Sequence, residues 1–134
     1  MNPAEIVGKM MEHDAFSRWL GIVVENVEAG SCTLSMVIRD EMLNGFGIAH
    51  GGITYSLADS ALAFASNAHG RHALSIDTSI NHIEALKAGD KITAIAREDA
   101  LKNKFGFYTI EIHAAQKLVA RFKGTVYRSE KVWQ

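Results

Sequence analysis

From Gly51 to His69 the chain carries a single formally charged side chain, Asp59. The surrounding residues, GGITYSLADSALAFASN, have the length and apolar content of a long helix buried on most of its sides. A chain holding one such helix must wrap other elements around it. A carboxylate in such a helix is costly unless it is paired, lies at an interface, or is put to use. The plainer alternative for Asp59 is a structural residue satisfied by serine or threonine hydroxyls.

The segment before this helix, Asn44 to His50, reads as a loop, and Asn44-Gly45 is a turn signal. The loop ends in His50-Gly51-Gly52, so open backbone amides fall at the helix N-terminus. That end carries partial positive charge and free N–H groups that hold anions or polarise a carbonyl. An electrophile holder and a candidate base or nucleophile thus share one helix, which points to hydrolysis of a carbonyl compound. Gly51-Gly52 also has a bland reading, as room for close helix packing.

The rest of the pattern fits α+β. Pro3 to His13 reads as a short amphipathic helix, with Ile6, Val7, Met10 and Met11 at helical spacing. Trp19 to Val27 and Ser31 to Ile38 read as a hairpin across Ala29-Gly30, with Cys32, Leu34, Met36 and Ile38 on one face. After His69-Gly70 the period becomes two. Leu74, Ile76, Thr78 and Ile80 fall on one face, and Ser75, Asp77, Ser79 and Asn81 on the other. Ile92 to Leu101, Phe107 to Ala115 and Leu118 to Tyr127 complete about six strands. The expected architecture is a single domain over residues 1–134, an antiparallel sheet wrapped round the long helix.

Charge and composition narrow the function. With 14 basic and 15 acidic residues the net charge is −1, so no general field favours nucleic acid or a membrane surface. No apolar run reaches the roughly 18 residues needed to cross a bilayer. Residues 1–14 mix charge signs and lack an apolar signal core, so a cytoplasmic location is expected. The one cysteine, Cys32, excludes an internal disulfide and a multi-cysteine zinc site, and its alternating apolar context reads as core. His69, His72 and His82 lack the spacing that fixes a metal, and no metal is expected.

The Asn44, Gly45, His50, Gly51, Gly52 and Asp59 pattern, with the strand Ser75 to His82, resembles the hotdog-fold thioesterases, in particular the PaaI-like acyl-CoA thioesterases. The resemblance spans nearly the whole chain. It implies a six-stranded hotdog fold and hydrolysis of an acyl-CoA, with an aryl-acetyl or medium-chain acyl group and a place in phenylacetate degradation. It implies no cofactor, CoA being part of the substrate. Asn44 and His50 would arrange the loop and the carbonyl or water, and Ser75 would assist the water or Asp59. The Gly51 amide would polarise the carbonyl. Asp59 would act as nucleophile or general base, a choice the residues leave open. Phosphates of CoA would need cations, for which Lys102 and Lys104 in a turn, and Arg71, Lys87 and Lys91, are candidates. Phe46 and Phe64 are candidates for lining an acyl pocket. Alternatives are a hotdog acyl-thioester dehydratase or hydratase, using a histidine–carboxylate pair, and a non-catalytic acyl-CoA binding protein.

Spacing alone sets a further limit. Gly51 and Asp59 are eight residues apart, about 12 Å along a helix. A carbonyl held at the Gly51 amide cannot also touch Asp59 of the same chain. If the two groups cooperate, they come from different subunits, and a two-fold homodimer would supply two composite sites. The resemblance adds pairing of dimers into a homotetramer.

Overall fold

A computed structural model describes the whole sequence, Met1–Gln134. Two short helices, α1 (Pro3–His13) and α2 (Ala15–Leu20), precede a hairpin of β1 (Val23–Glu28) and β2 (Ser31–Val37). A single 3₁₀ turn (Asp40–Met42) and a loop lead to the long helix α3 (Gly51–Asn67). Four strands follow: β3 (Arg71–His82), β4 (Lys91–Lys102), β5 (Phe105–Ala114) and β6 (Lys117–Val132). All six strands form one antiparallel sheet in the order β1-β2-β4-β5-β6-β3. The sheet curls around α3, which buries Leu57, Ala58, Ala61, Leu62, Phe64 and Ala65 against it. This is the α+β hotdog architecture expected from the sequence. No helix is long and apolar enough to cross a membrane.

The helix meets the sheet so closely that one strand has no room for a side chain. A Cβ at Gly124 of β6 would come 2.5 Å from Leu62 Cδ2 and 3.2 Å from Phe122 Cε1. Leu62 is itself fully buried and cannot swing away. At the far end of α3, Asn67 locks helix to sheet. Its Nδ2 donates to the carbonyls of Ala63 and Ala73, and its Oδ1 accepts from Ala73 N–H and Trp133 Nε1–H. Every polar atom of this buried side chain is satisfied. At the near end the Tyr55 hydroxyl bonds Thr78 Oγ1. With α3 and β3 running in opposite directions, these ties fix which part of the helix each β3 residue faces.

Two expectations needed correction. Trp19 and Leu20 do not begin a strand, because they end α2, and β1 starts at Val23. The cause is local capping: Asp14 accepts from Ser17 N–H at 2.9 Å and from Ser17 Oγ at 2.7 Å. The second correction concerns β3. Its alternation breaks at a bulge between Ser75 and Asp77, where Ile76 is the extra residue. Ser75 pairs with buried Val126 and Leu74 with exposed Tyr127, so Ser75 points to the helix side and Leu74 away from it. Ser75 and Asp77 therefore do not share a face.

β3 has β6 on one side and nothing on the other. Leu74 and Ile76 on this free edge are 74% and 60% exposed. A long, unprotected apolar edge is a surface that pairs with another strand.

The Gly124 contact gives a direct test of how tightly α3 is seated. Gly124→Ala is expected to destabilise the protein by about 1–3 kcal/mol through overpacking. A lower urea midpoint at fixed protein concentration, with unchanged slope, would show this. An unchanged midpoint would mean that the helix lifts off the sheet at no cost.

Candidate active site

The loop before α3 is built by Asn44. Its Oδ1 accepts from the N–H groups of Phe46 (2.9 Å) and Ile48 (3.4 Å), and its backbone N–H donates to Ile48 O at 2.8 Å. Two further bonds pin the loop to the body, Ala49 N–H to Leu86 O and His50 N–H to Met42 O, both 2.8 Å. The helix start is thereby fixed in place. His50 caps it: Nδ1 accepts the Gly52 N–H at 2.8 Å, and the His50 carbonyl accepts the Ile53 N–H at 2.9 Å. Gly51 keeps a free N–H at the positive end of a 17-residue helix with no acidic residue in its first turn.

That N–H borders a cleft of about 330 Å3 lined by Asn44, Ala49, Gly51, Thr54, His82 and Glu84, among others. Thr54 and His82 are additions to the set read from the sequence. Thr54 Oγ1 lies 3.1 Å from Gly51 O and 3.3 Å from His82 Nδ1. The His82 ring abuts Gly51, where a Cβ would come 3.1 Å from Nε2. A Cβ at this position would require the imidazole to give by a few tenths of an ångström. The available signal was the shared face of Thr78, Ile80 and His82, which continues the side of β3 that meets α3.

Asp59 lies two turns further along α3 and outside this cleft. It is half-buried, and no group of its own chain hydrogen-bonds to it. The nearby hydroxyls serve a different carboxylate. Ser17 Oγ donates to Asp14 Oδ2, and Ser60 Oγ bonds Ser17 Oγ at 2.8 Å. The structural alternative for Asp59, satisfaction by hydroxyls, is therefore not what the fold provides. Burial, and secondarily the charge of Asp14, push the Asp59 carboxyl above the usual carboxylate range.

Ser75 falls between the Tyr55–Thr78 and Asn67–Ala73 ties. It too lies outside the Gly51 cleft. The expected site residues thus fall in separate places: Asn44, His50 and Gly51 at the start of α3, Asp59 along its middle, and Ser75 on β3. The remaining candidates disperse. Phe64 is fully buried core, whereas Phe46 is 90% exposed at the loop tip. Arg71 is tied to the carbonyls of Ser129 and Arg128. Lys102, Lys104, Lys87 and Lys91 are exposed. His69 bonds Glu98, His72 stacks on Trp133, and His82 covers Gly51, three separate places. Cys32 is core, its thiol pushed up to about 12 by burial.

A larger cleft, about 910 Å3, opens between α1 and the C-terminal tail and is lined by Met10, Phe16, His72 and Trp133 among others. Asp14 lies at its edge, but it contains none of the expected site residues. The smaller cleft is the better candidate because it holds the free amide.

Comparison with known proteins identifies the family. Residues 46–120 match the Thioesterase superfamily. The acyl-coenzyme A thioesterase PaaI of Escherichia coli is 38% identical over 120 residues, covering 89% of this chain and 86% of that protein. The structure of the E. coli PaaI protein, from the phenylacetic acid degradation operon, superposes with a TM-score of 0.94 at 34% identity, covering 97% of this chain and 95% of the other. The TT0310 protein of Thermus thermophilus gives 0.85 at 38% identity, covering 87% and 99%. The chain belongs to the thioesterase superfamily of thioester hydrolases, and within it to the PaaI-like hotdog proteins.

The raised Asp59 carboxyl has a signed consequence. A folded-state value above the unfolded one makes stability fall as pH rises from the unfolded to the folded value, and the deficit persists at neutral pH. Asp59→Asn is therefore expected to melt higher than wild type at pH 7, with the gain vanishing below the usual carboxylate range. Equal melting temperatures at both pH values would remove the burden assigned to this charge.

Proposed function

We propose that two copies of the chain combine to hydrolyse an acyl-CoA to free acid and CoA. The observation that carries this reading is the division of one helix into two incomplete halves. Gly51 offers a free N–H in a cleft, and Asp59 offers an unpartnered carboxylate about 12 Å away along the same rigid rod. An antiparallel pairing of two α3 helices brings the Gly51 of one protomer to the Asp59 of its partner. The free β3 edge, with exposed Leu74 and Ile76, supports such self-association.

In this mechanism the thioester carbonyl oxygen accepts the Gly51 N–H. The partner subunit's Asp59 attacks the carbonyl carbon, or takes a proton from a water that attacks it. Negative charge moves onto the carbonyl oxygen and is stabilised by the fixed N–H and the helix terminus. The tetrahedral intermediate collapses, the C–S bond breaks, and CoA leaves as a thiolate that is then protonated. If Asp59 has attacked, water hydrolyses the resulting anhydride. Asn44 and His50 hold the loop that aims Gly51, and Ser75 assists the water or Asp59. His50 spends Nδ1 on the Gly52 N–H, which supports a positioning role over the proton shuttle a dehydratase would need. The substrate class is aryl-acetyl or medium-chain acyl-CoA, consistent with a role in phenylacetate degradation. The whole chain acts as one catalytic domain, in a cytoplasmic homotetramer built from two such dimers, with no metal and no separate cofactor.

The test is free-thiol release from phenylacetyl-, hydroxyphenylacetyl-, benzoyl- and straight-chain acyl-CoAs, with wild type and Asp59→Asn side by side. Wild type should turn over at least one ester, and Asp59→Asn should be slower by orders of magnitude while remaining folded. In wild type, kcat/KM should rise with pH along an acid limb shifted above the usual carboxylate range, because Asp59 works ionised. Equal turnover by Asp59→Asn would remove Asp59 from the chemistry. Tight acyl-CoA binding by an inactive wild type would favour the binding-protein reading, and conversion of 3-hydroxyacyl- to enoyl-CoA the dehydratase.

A further inference from the structure

We propose that His82 is a second donor to the carbonyl oxygen, its Nε2–H completing with the Gly51 N–H a two-donor oxyanion hole. The inference rests on the thioesterase reading and adds a catalytic residue to it. His82 ends β3, on the face that meets α3, and its exposed ring lines the same cleft as Gly51. Nε2 is the ring atom nearest the position of a Gly51 Cβ, at 3.1 Å. In this proposal a carbonyl oxygen seated at the Gly51 N–H also meets Nε2.

Which ring nitrogen carries the proton is decided by Thr54. Its hydroxyl has one proton and two acceptors within reach, Gly51 O at 3.1 Å and His82 Nδ1 at 3.3 Å. Gly51 O is also the acceptor for the Tyr55 N–H in the regular helical ladder, so it does not depend on Thr54. His82 Nδ1 has no other donor among the side chains around it. In the tautomer this role requires, Thr54 turns its proton from Gly51 O to Nδ1 and the neutral ring carries its own proton on Nε2. Glu84, the acidic residue lining the cleft, is paired with Lys117 at 3.2 Å. The Nε2–H thus stays free for substrate. His82 transfers no proton in this role. It strengthens its hydrogen bond as charge builds on the oxygen, and releases it when the C–S bond breaks.

The role predicts a pattern across four variants assayed for thiol release on the best acyl-CoA of the wild type. His82→Phe should lose about 10²-fold in kcat with KM changed only a few-fold, the loss typical of one oxyanion donor. His82→Gln restores an N–H donor and should recover a large part of that loss. Thr54→Val leaves His82 in place but removes the group that sets its tautomer, so kcat should fall, whereas Thr54→Ser should stay near wild type. The acid limb of kcat/KM should be the same in wild type and His82→Gln, because it belongs to Asp59. Wild-type kcat in both His82→Phe and Thr54→Val would overturn the proposal and leave the thioesterase reading standing. Equal losses in His82→Phe and His82→Gln, tracking lowered melting temperatures, would also overturn it, by showing a packing role. Absence of turnover by folded wild type would remove the thioesterase reading and this inference together.

Discussion

The packing of α3 into the curl of the sheet is the constraint from which the rest follows. The sheet closes on Leu57, Ala58, Ala61, Leu62, Phe64 and Ala65 so tightly that β6 passes under Leu62 only as Gly124. A helix held this way is straight and rigid, and it cannot bend to bring its first turn to its third. The distance between the Gly51 amide and the Asp59 carboxyl is therefore fixed by helical rise. The same burial makes an ionised Asp59 expensive and pushes its carboxyl upward. The same packing thus sets both the raised carboxyl of Asp59 and its separation from the Gly51 amide.

The Ser17 hydroxyl is committed to Asp14, the cap of α2, and the Ser60 hydroxyl to Ser17 Oγ. Asp59 is left without a partner in its own chain. At the helix start the reverse holds. Asn44, His50 and two backbone bonds over-determine the loop, and they leave one N–H unspent at Gly51. An over-satisfied frame around one free donor is what preorganised stabilisation of a developing oxyanion requires. In the proposed dimer each protomer contributes the half that its partner lacks, and the exposed β3 edge is covered by the same association.

Much of this was legible in the sequence because it is local. The Asn44-Gly45 turn, the His50 cap and the long apolar run up to Asn67 are written in consecutive residues, and they position α3 and Gly51 correctly. The lone charge in that run singled out Asp59. What escaped depends on chain segments far apart in sequence. His82 meets Gly51 and Thr54 only because β3 runs back antiparallel to α3, and no local pattern announces that meeting. The bulge at Ile76 arises from pairing with β6, so the simple alternation of β3 assigned Ser75 and Asp77 to one face and was overruled. Phe64 sits in an apolar run and is indistinguishable there from a pocket residue, until the sheet buries it completely. The second helix escaped because Trp19 and Leu20 read as part of a strand, whereas the Asp14 cap on Ser17 holds them in α2.

The central claim is that one active site is assembled from two chains, and complementation tests it most directly. Chains carrying Asp59→Asn and chains carrying Gly51→Val, whose side chain would displace His82, are each expected to be inactive alone as folded oligomers. Unfolding, exchanging and refolding the two together should restore thiol release, because a mixed dimer holds one site with both Gly51 and Asp59 intact. At equal mixing, half the dimers are hybrids with one working site of two, so activity should approach a quarter of wild type. No recovery, with hybrid formation verified by mass spectrometry, would contradict the composite site.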